Sequence, residues 1–396
     1  MPSDKLKVLF VCERPDLRSY KMAKGLLATG ECEPLLLAAG WDRALHGPAF
    51  ASAREFGSAF SASFFAFRRA DLVSRGRARS VCGSALRHWL RPKIDAMRPF
   101  DILHSMTPPV QLSRLAIACS GAPAVFDQYD LILQSYGKDY MWPSEIADER
   151  WCFEHAQGFV HKGPASEIQF YRDRGYTMDG PELSYPDGCD ESFFKPLDSP
   201  KLSDADGEWH VAYAGGIHGP GKPFDLLRDF STMAAQGIHV HIYPAIWSEG
   251  HEDLSQYAKA GGKIHLHKSL PYAELAGELA KYDFGIYYWD IAPTTFPDVA
   301  RKVKTAAGNK VPAYYEAGLP AIVGSSLEYT ASMVSEAGAG LIVDAGELGT
   351  LAKMLDGADL SAMKKGVAAA RERLSVKSQG RALLEFYRKL LAARNI

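Results

Sequence analysis

What the chain lacks narrows it first. Its six cysteines, Cys12, Cys32, Cys82, Cys119, Cys152 and Cys189, form no C-x-x-C pair and join no Cys/His group at ligand spacing. A disulfide framework and a zinc module are therefore not expected, and a reducing cytosol is the expected setting. No window reaches the ~20 uninterrupted apolar residues that a bilayer-spanning helix needs, so membrane contact is expected to be peripheral at most. No basic head with a long apolar core precedes Val8-Leu9-Phe10-Val11, which reads as a first β-strand rather than a signal peptide. Neither charge predominates, with 45 Lys and Arg against 47 Asp and Glu. Low-complexity tracts are lacking too, and 47% hydrophobic with 23% charged residues is the composition of a folded globular protein, not of a disordered or fibrous one.

What is present is a rhythm. Short apolar runs rich in Val, Ile and Phe alternate with stretches at helical period, the pattern of a parallel sheet covered by helices. The first half offers residues 7–11, 34–37, 102–104, 124–126 and 158–161; the second offers 210–214, 239–243, 264–266, 284–288, 321–323 and 341–343. Between Phe193 and Trp209 the chain is polar, holds Pro196 and Pro200, and reads as a linker. At 396 residues the chain has room for about two domains. The expectation is an α/β protein of two Rossmann-like domains, residues 1–197 and 207–377, with a ligand cleft between them, followed by a helix over 378–396. Open parallel sheets bind ligands beyond the C-terminal ends of their strands, but the fold alone names no reaction.

Two turns carry chemistry. The run 210–214 leads into Gly215-Gly216-Ile217-His218-Gly219-Pro220-Gly221-Lys222-Pro223 and then a helix. Such a turn frees backbone N–H groups for an anion such as phosphate, with Lys222 adding a charge; a tight turn that only needs glycine reads the same way. The second turn, Gly308-Asn309-Lys310, opens a short helix through Tyr314 and Glu316 that ends at Gly318 with Pro320 behind it. A cation at a helix N-terminus is unfavourable unless an anion lies beside it, which marks Lys310 as a phosphate candidate.

With these residues in place, the sequence resembles the GT-B glycosyltransferases, nearest to the retaining family 4 group. Phe100-Asp101-Ile102-Leu103-His104 is similar to the family's "PDVVH", Val125 to Asp130 to "YDLHD", and Glu149 to Val160 to "ERWALRRADAVI". Tyr185 to Pro196 is similar to "IPNGVDxxxFxP", Ala212 to Lys222 to "VYVGRLxxxKG", and Asn309 to Pro320 to "NKLFEYLAAGLPVV". The resemblance implies transfer of a sugar from a nucleotide-sugar donor to a glycan or lipid-linked acceptor hydroxyl, with retention, without metal, and with no cofactor beyond the donor as co-substrate. It places the donor on the second domain, near Gly215, Gly216, His218, Lys222, Tyr288, Asn309, Lys310, Tyr314 and Glu316. The acceptor falls to the first, near His104, Asp127, Tyr129 and Asp130, and the final helix is expected to return to that domain. His104, Lys222 and Lys310 are the implied catalytic residues, the lysines by balancing charge on the departing diphosphate. The sequence also departs from the family: Gly216 stands where Arg is frequent, and Ala313 and Thr305 stand where glutamates are expected, with Glu316 nearly a helical turn further on. A non-catalytic nucleotide-sugar or glycan-binding protein, or a sugar-nucleotide epimerase, is the alternative on the same fold.

Three further patterns stand apart. Between Arg54 and Arg98 the segment is strongly basic, with Arg68, Arg69, Arg75, Arg79, Arg87 and Arg91 interleaved with phenylalanines and Trp89, and reads as a surface for an anionic membrane or acceptor on the cytoplasmic side, or as a helical pair with a solvated basic face. No nucleic-acid-reading motif accompanies it. Asp204-Ala205-Asp206 matches a metal signature but sits in the polar linker, and His239, His241, His265 and His267 alternate along two strands. Two nitrogens per strand and no carboxylate cluster argue against zinc, and no metal is expected.

Overall fold

The computed structural model describes residues 5–71, 77–129, 143–217, 226–289 and 297–394. The chain forms two compact units, Met1–Pro186 with Val376–Ile396, and Asp187–Ser375.

The first unit is built on a parallel sheet of β1 (Leu6–Cys12), β2 (Cys32–Ala38), β3 (Ser52–Glu55), β4 (Ile102–Met106), β5 (Ala124–Gln128), β6 (Gly158–His161) and β7 (Glu182–Ser184), in the order β3-β2-β1-β4-β5-β6-β7. Strands β4, β5 and β6 are buried along their whole length, as expected where helices cover both faces of a sheet. The edge strands β3 and β7 escape the sequence pattern: Ser52-Ala53-Arg54-Glu55 and Glu182-Leu183-Ser184 carry no apolar run, and only parallel backbone pairing with β2 and β6 makes them strands.

The helix Leu17–Ala28 starts at a capping box, with Asp16 accepting from the Ser19 N–H at 2.9 Å while the Ser19 hydroxyl accepts from the Asp16 N–H at 2.9 Å. Against it lies the helix Val376–Arg394. Two glycines let the backbones meet: a Cβ on Gly380 would stand 2.2 Å from Gly25, and one on Gly25 would stand 2.3 Å from the Val376 carbonyl. Leu383, Leu384, Phe386, Tyr387 and Leu390 are buried along the apolar stripe of this last helix.

The basic segment folds into the helices Ser58–Asp71 and Arg77–Asp95. Phe56, Phe60, Phe64 and Phe67 face the core, with Phe56 and Phe60 ring centroids 4.9 Å apart and Phe60 and Phe64 6.0 Å apart. The interleaved aromatics are therefore packing residues. Arg87 and Arg91 are exposed beside Trp89, itself 48% exposed. Arg68, Arg69 and Arg79 lie on the same two helices, and Arg75 falls outside the described residues. Among the described residues no helix is long and apolar enough to cross a membrane.

The second unit has a parallel sheet of β8 (His210–Gly215), β9 (His239–Pro244), β10 (Ile264–Leu266), β11 (Phe284–Tyr287), β12 (Ala321–Gly324) and β13 (Gly340–Val343), ordered β10-β9-β8-β11-β12-β13. This is the doubly wound order, which reverses between β8 and β11, where Val211 pairs with Phe284 and Ala212 with Gly285. The stretch read as a linker is stitched to this unit instead. The Cys189 N–H donates to the Leu374 carbonyl at 2.8 Å, Lys195 to Glu316 at 2.9 Å and Leu202 to Lys281 at 2.9 Å, while Phe193, Phe194 and Leu197 pack on the core. A few apolar side chains and satisfied backbone donors fix a segment whose composition looks solvated.

Candidate functional site

At the reversal point of the second sheet the chain leaves β8 through Gly215, whose φ of +149° lies where side chains are rarely tolerated. Space gives a second reason for glycine: a Cβ there would stand 2.6 Å from Cε and 3.1 Å from Nζ of Lys310. Lys310 is the first residue of the helix Lys310–Ala317, and its side chain lies across the end of β8. Its ammonium is 4.6 Å from the Tyr287 ring centroid, 5.1 Å from Trp289 and 5.5 Å from Tyr213. Cation–π attraction holds it over these rings. Asn309 precedes Lys310 as the helix cap residue, although its side chain makes no capping bond. At Gly308 a Cβ would press within 2.9 Å of the Tyr287 hydroxyl, so this turn also needs a glycine. Beside Gly215, Gly216 accepts at its carbonyl from the Tyr213 hydroxyl at 2.5 Å, and the Ile217 N–H donates to Ser248 Oγ at 3.1 Å. His218 and Lys222 lie outside the described residues.

Three donor candidates are tied into the scaffold of this unit. Tyr314 is fully buried; its hydroxyl donates to the Ile286 carbonyl at 2.7 Å and accepts from the Ala214 N–H at 3.2 Å, tying β11 to β8 from beneath. Gly285 makes room for its ring, since a Cβ there would fall 2.1 Å from Tyr314. Tyr288 is buried against Gly324, and it is Tyr287 and Trp289 that reach Lys310. Glu316 is buried and accepts from the Asp190 N–H at 2.7 Å and from the Tyr272 hydroxyl, so its carboxylate anchors the segment entering this unit. Ala313 is buried, and Thr305 back-bonds to carbonyls of its own helix.

In the first unit the strand-end residues form a buried network rather than a presented site. His104 and Asp127 have no solvent exposure. The Tyr387 hydroxyl donates to His104 Nδ1 at 2.7 Å, and His104 Nε2 donates to Asp127 at 3.2 Å, an assignment that makes the ring a neutral tautomer. Arg18 donates twice to Asp127 at 3.1 Å and once to the Tyr185 carbonyl at 2.6 Å. Burial lowers the His104 pKa against the pull of Asp127. Burial would raise Asp127, but the Arg18 guanidinium and then the His104 bond hold it below the usual carboxylate range. His104 and Asp127, for which acceptor-facing roles were implied, are thus held in a buried network with Arg18 and Tyr387. Tyr129, only partly buried, lies beneath two cations the sequence reading did not single out, Lys162 with Nζ 3.9 Å from the ring centroid and Arg18 at 5.7 Å. Asp130 is outside the described residues.

Two parallel-sheet Rossmann-like domains with a final helix make this a GT-B fold, that of a class of glycosyltransferases. Residues 224–380 match the family model of the glucosyltransferase 3-like C-terminal domain. The chain is similar in structure to Anabaena HepE in complex with UDP, at 12% identity and TM-score 0.65 over 96% of this chain and 99% of that one. It is similar to α,α-trehalose 6-phosphate synthase of Burkholderia multivorans, at 13% and 0.64 over 99% and 100%. Sucrose-phosphate synthase of Thermosynechococcus elongatus gives 15% and 0.60 over 98% and 100%. No curated protein matches the chain in sequence.

Proposed function

We propose that the protein is a glycosyltransferase whose second unit binds a nucleotide-sugar donor and whose first unit receives the acceptor hydroxyl of a glycan or lipid-linked glycan. The observation that carries this reading is Lys310, set over Gly215 at the reversal point of the sheet and aimed by Tyr213, Tyr287 and Trp289. A fixed cation at that place meets the diphosphate of a nucleotide sugar and, as the glycosidic bond to the nucleotide breaks, the charge that builds on the leaving phosphate. Lys222, in the glycine-rich sequence that follows β8, is assigned the same task. Retention follows the family resemblance: the acceptor hydroxyl attacks from the face the nucleotide leaves. The match of residues 224–380 to a glucosyltransferase-like domain supports a hexose donor, and the complex of HepE with UDP makes UDP the first probe.

A second reading, binding without transfer, is favoured by one observation. Ala313 stands where a glutamate is expected, and Glu316 is committed to Asp190 and Tyr272. One variant addresses both. Lys310→Ala is expected to weaken UDP binding about tenfold or more, as for loss of a charge-assisted bond of ~1.5–3 kcal/mol, while uridine binding stays as in the wild type. Calorimetry showing equal loss for both would remove Lys310 from the diphosphate site. Release of UDP from a UDP-sugar by the wild type but not by Lys310→Ala would set the non-catalytic reading aside.

A further inference from the structure

At the opposite, N-terminal end of the same sheet, five imidazoles on β8, β9 and the end of β10 bond to one another in two rows. In the longer row, Asp206 Oδ2 is 3.0 Å from His210 Nε2, His210 Nδ1 is 2.9 Å from His241 Nε2, and His241 Nδ1 is 3.0 Å from His267 Nε2. In the shorter row, Glu208 Oε2 is 2.5 Å from His239 Nε2, and His239 Nδ1 is 2.9 Å from His265 Nε2. The rows lie face to face, with His210 and His239 ring centroids 4.4 Å apart and His241 and His265 4.5 Å apart.

The carboxylates fix the direction of every bond. Asp206 is held below the usual carboxylate range by the Glu208 N–H and then by His210, and Glu208 by Lys263 and then by His239, so both are ionised. An ionised carboxylate can only accept, so His210 and His239 donate from Nε2, and their neutral Nδ1 atoms accept from the Nε2–H of His241 and His265. His241 Nδ1 in turn accepts from His267. Each ring then carries one proton and each nitrogen–nitrogen contact holds one hydrogen, which is all it has room for. The outer Nδ1 atoms, on half-buried His265 and His267, remain as the entry points. Each row therefore admits one further proton and no more, whereas the same five imidazoles set free in the unfolded chain admit one each.

We propose that the two rows are a pH-sensitive latch across β8, β9 and β10, a closed hydrogen-bonded lattice at neutral pH that admits one proton per row and gives way in mild acid. In the longer row the proton binds His267 Nδ1. His267 passes its Nε2 proton to His241 Nδ1, and His241 passes its own to His210 Nδ1. Each transfer breaks one N–H bond and forms one, and the charge comes to rest on His210 against Asp206. The shorter row works the same way from His265 to His239. There Lys263, which contacts Glu208 and stands 3.1 Å from His239 Nε2, opposes the charge, so the longer row fills first. The remaining neighbours favour neutral rings or bond elsewhere. The Tyr282 ring lies 4.3 Å from that of His241, and the Tyr243 ring 4.4 Å from that of His267. Their hydroxyls bond each other at 2.6 Å, and Tyr243 also bonds Glu278. Lys281 opposes a charge on His267 more than Glu278 favours it, and Asp283 takes the His210 backbone N–H at 2.9 Å. Burial, and then the surrounding imidazoles, push His241 down to about 2, which makes it a carrier and not a resting place; burial also lowers His265 and His267. Below about pH 6.5 the unfolded chain thus binds more protons than the folded one, by about three once its imidazoles are filled. The latch is at full strength above that pH and weakens as the pH falls.

The test uses the full chain. With ¹⁵N-labelled histidine, nuclear magnetic resonance at pH 7.5 should show all five rings neutral and protonated at Nε2, and no more than two of them charged in the folded protein at pH 5. Hydrogen-exchange protection of the β9 amides, corrected for the intrinsic pH dependence of exchange, should fall ever more steeply below pH 6.5, approaching about a thousandfold per pH unit near pH 5. Asp206→Asn, on the exposed turn, removes the resting place of the charge, so the slope should steepen by about tenfold per pH unit. A lost turn bond alone would change protection equally at every pH. His241→Gln keeps a donor and an acceptor in the row but carries no proton, and the slope should become shallower by about the same factor. Nδ1 protonation of His210 or His239 at pH 7.5, three or more charged rings in the folded protein, or an unchanged slope in Asp206→Asn would overturn the proposal.

Discussion

At the scale of single residues, the second unit turns on one lysine and the glycine beneath it. Gly215→Ala would place a methyl 2.6 Å from Lys310 Cε on backbone already at φ +149°, so either the lysine lifts from its aromatic rings or the turn rearranges. The expected result is a several-fold loss of UDP affinity together with about 1–3 kcal/mol of lost stability from the strained backbone, read by nucleotide titration and denaturant unfolding of the same preparation. Undiminished UDP affinity would mean that the position of Lys310 does not depend on Gly215. Which residues gather at this place was partly legible. The turns mark Gly215, Asn309 and Lys310, and the strand end marks Tyr288, whereas the rings that face Lys310 are those of Tyr287 and Trp289. Alternation along a strand puts 287 and 289 on one side and 288 on the other, so the signal was there, while the face it selected depends on which helix covers the sheet. His104 was placed correctly at a strand end. That its partner is Tyr387, 283 residues later, is a fact of tertiary packing that no local spacing carries.

Among elements, the clearest coupling runs from β4 and β5 through His104 and Asp127 to the last helix. Its pH dependence has a definite sign. His104 is held below its ordinary value of 6.5, chiefly by burial, so beneath about pH 6.5 the unfolded chain takes up a proton that the folded chain refuses. Stability is then full above that pH and falls as the pH drops. Asp127, held below 3.8 by Arg18 and His104 despite burial, adds a loss of the same sign below about pH 3.8. The denaturant midpoint should fall between about pH 7 and pH 5, and His104→Gln should lower that slope; the same slope in the variant would deny His104 its part. Elements were legible wherever they are buried. The central strands announced themselves because both faces are covered, whereas β3 and β7 stayed hidden because an edge strand with charged side chains differs from a loop only in its backbone pairing.

On the scale of the whole molecule, the paired α/β rhythm revealed two Rossmann-like halves. Composition suggested a solvated linker at 193–209, but that segment is part of the second unit, held by backbone bonds that composition does not encode. The first unit is discontinuous, closed by residues 376–396, while the second is one uninterrupted stretch. Removing residues 376–396 should therefore strip the first unit of Tyr387 and the Gly25–Gly380 contact and abolish its cooperative unfolding, yet leave UDP binding by the second unit in place. Calorimetric unfolding and nucleotide titration of the shortened chain test this, and retention of both unfolding transitions would show that the last helix is dispensable.

The contact of Gly25 with Gly380 also sets an order of events during synthesis. A ribosome delivers Gly25 early, but the helix that covers it is translated only after the 189 residues of Asp187–Ser375, a delay of roughly ten to forty seconds at about 5–20 residues per second. Through that interval the nascent first half carries an open apolar flank that only the final segment can close. The half made second is thus the first able to fold completely, and the half made first must stay unaggregated until residues 376–396 have been made.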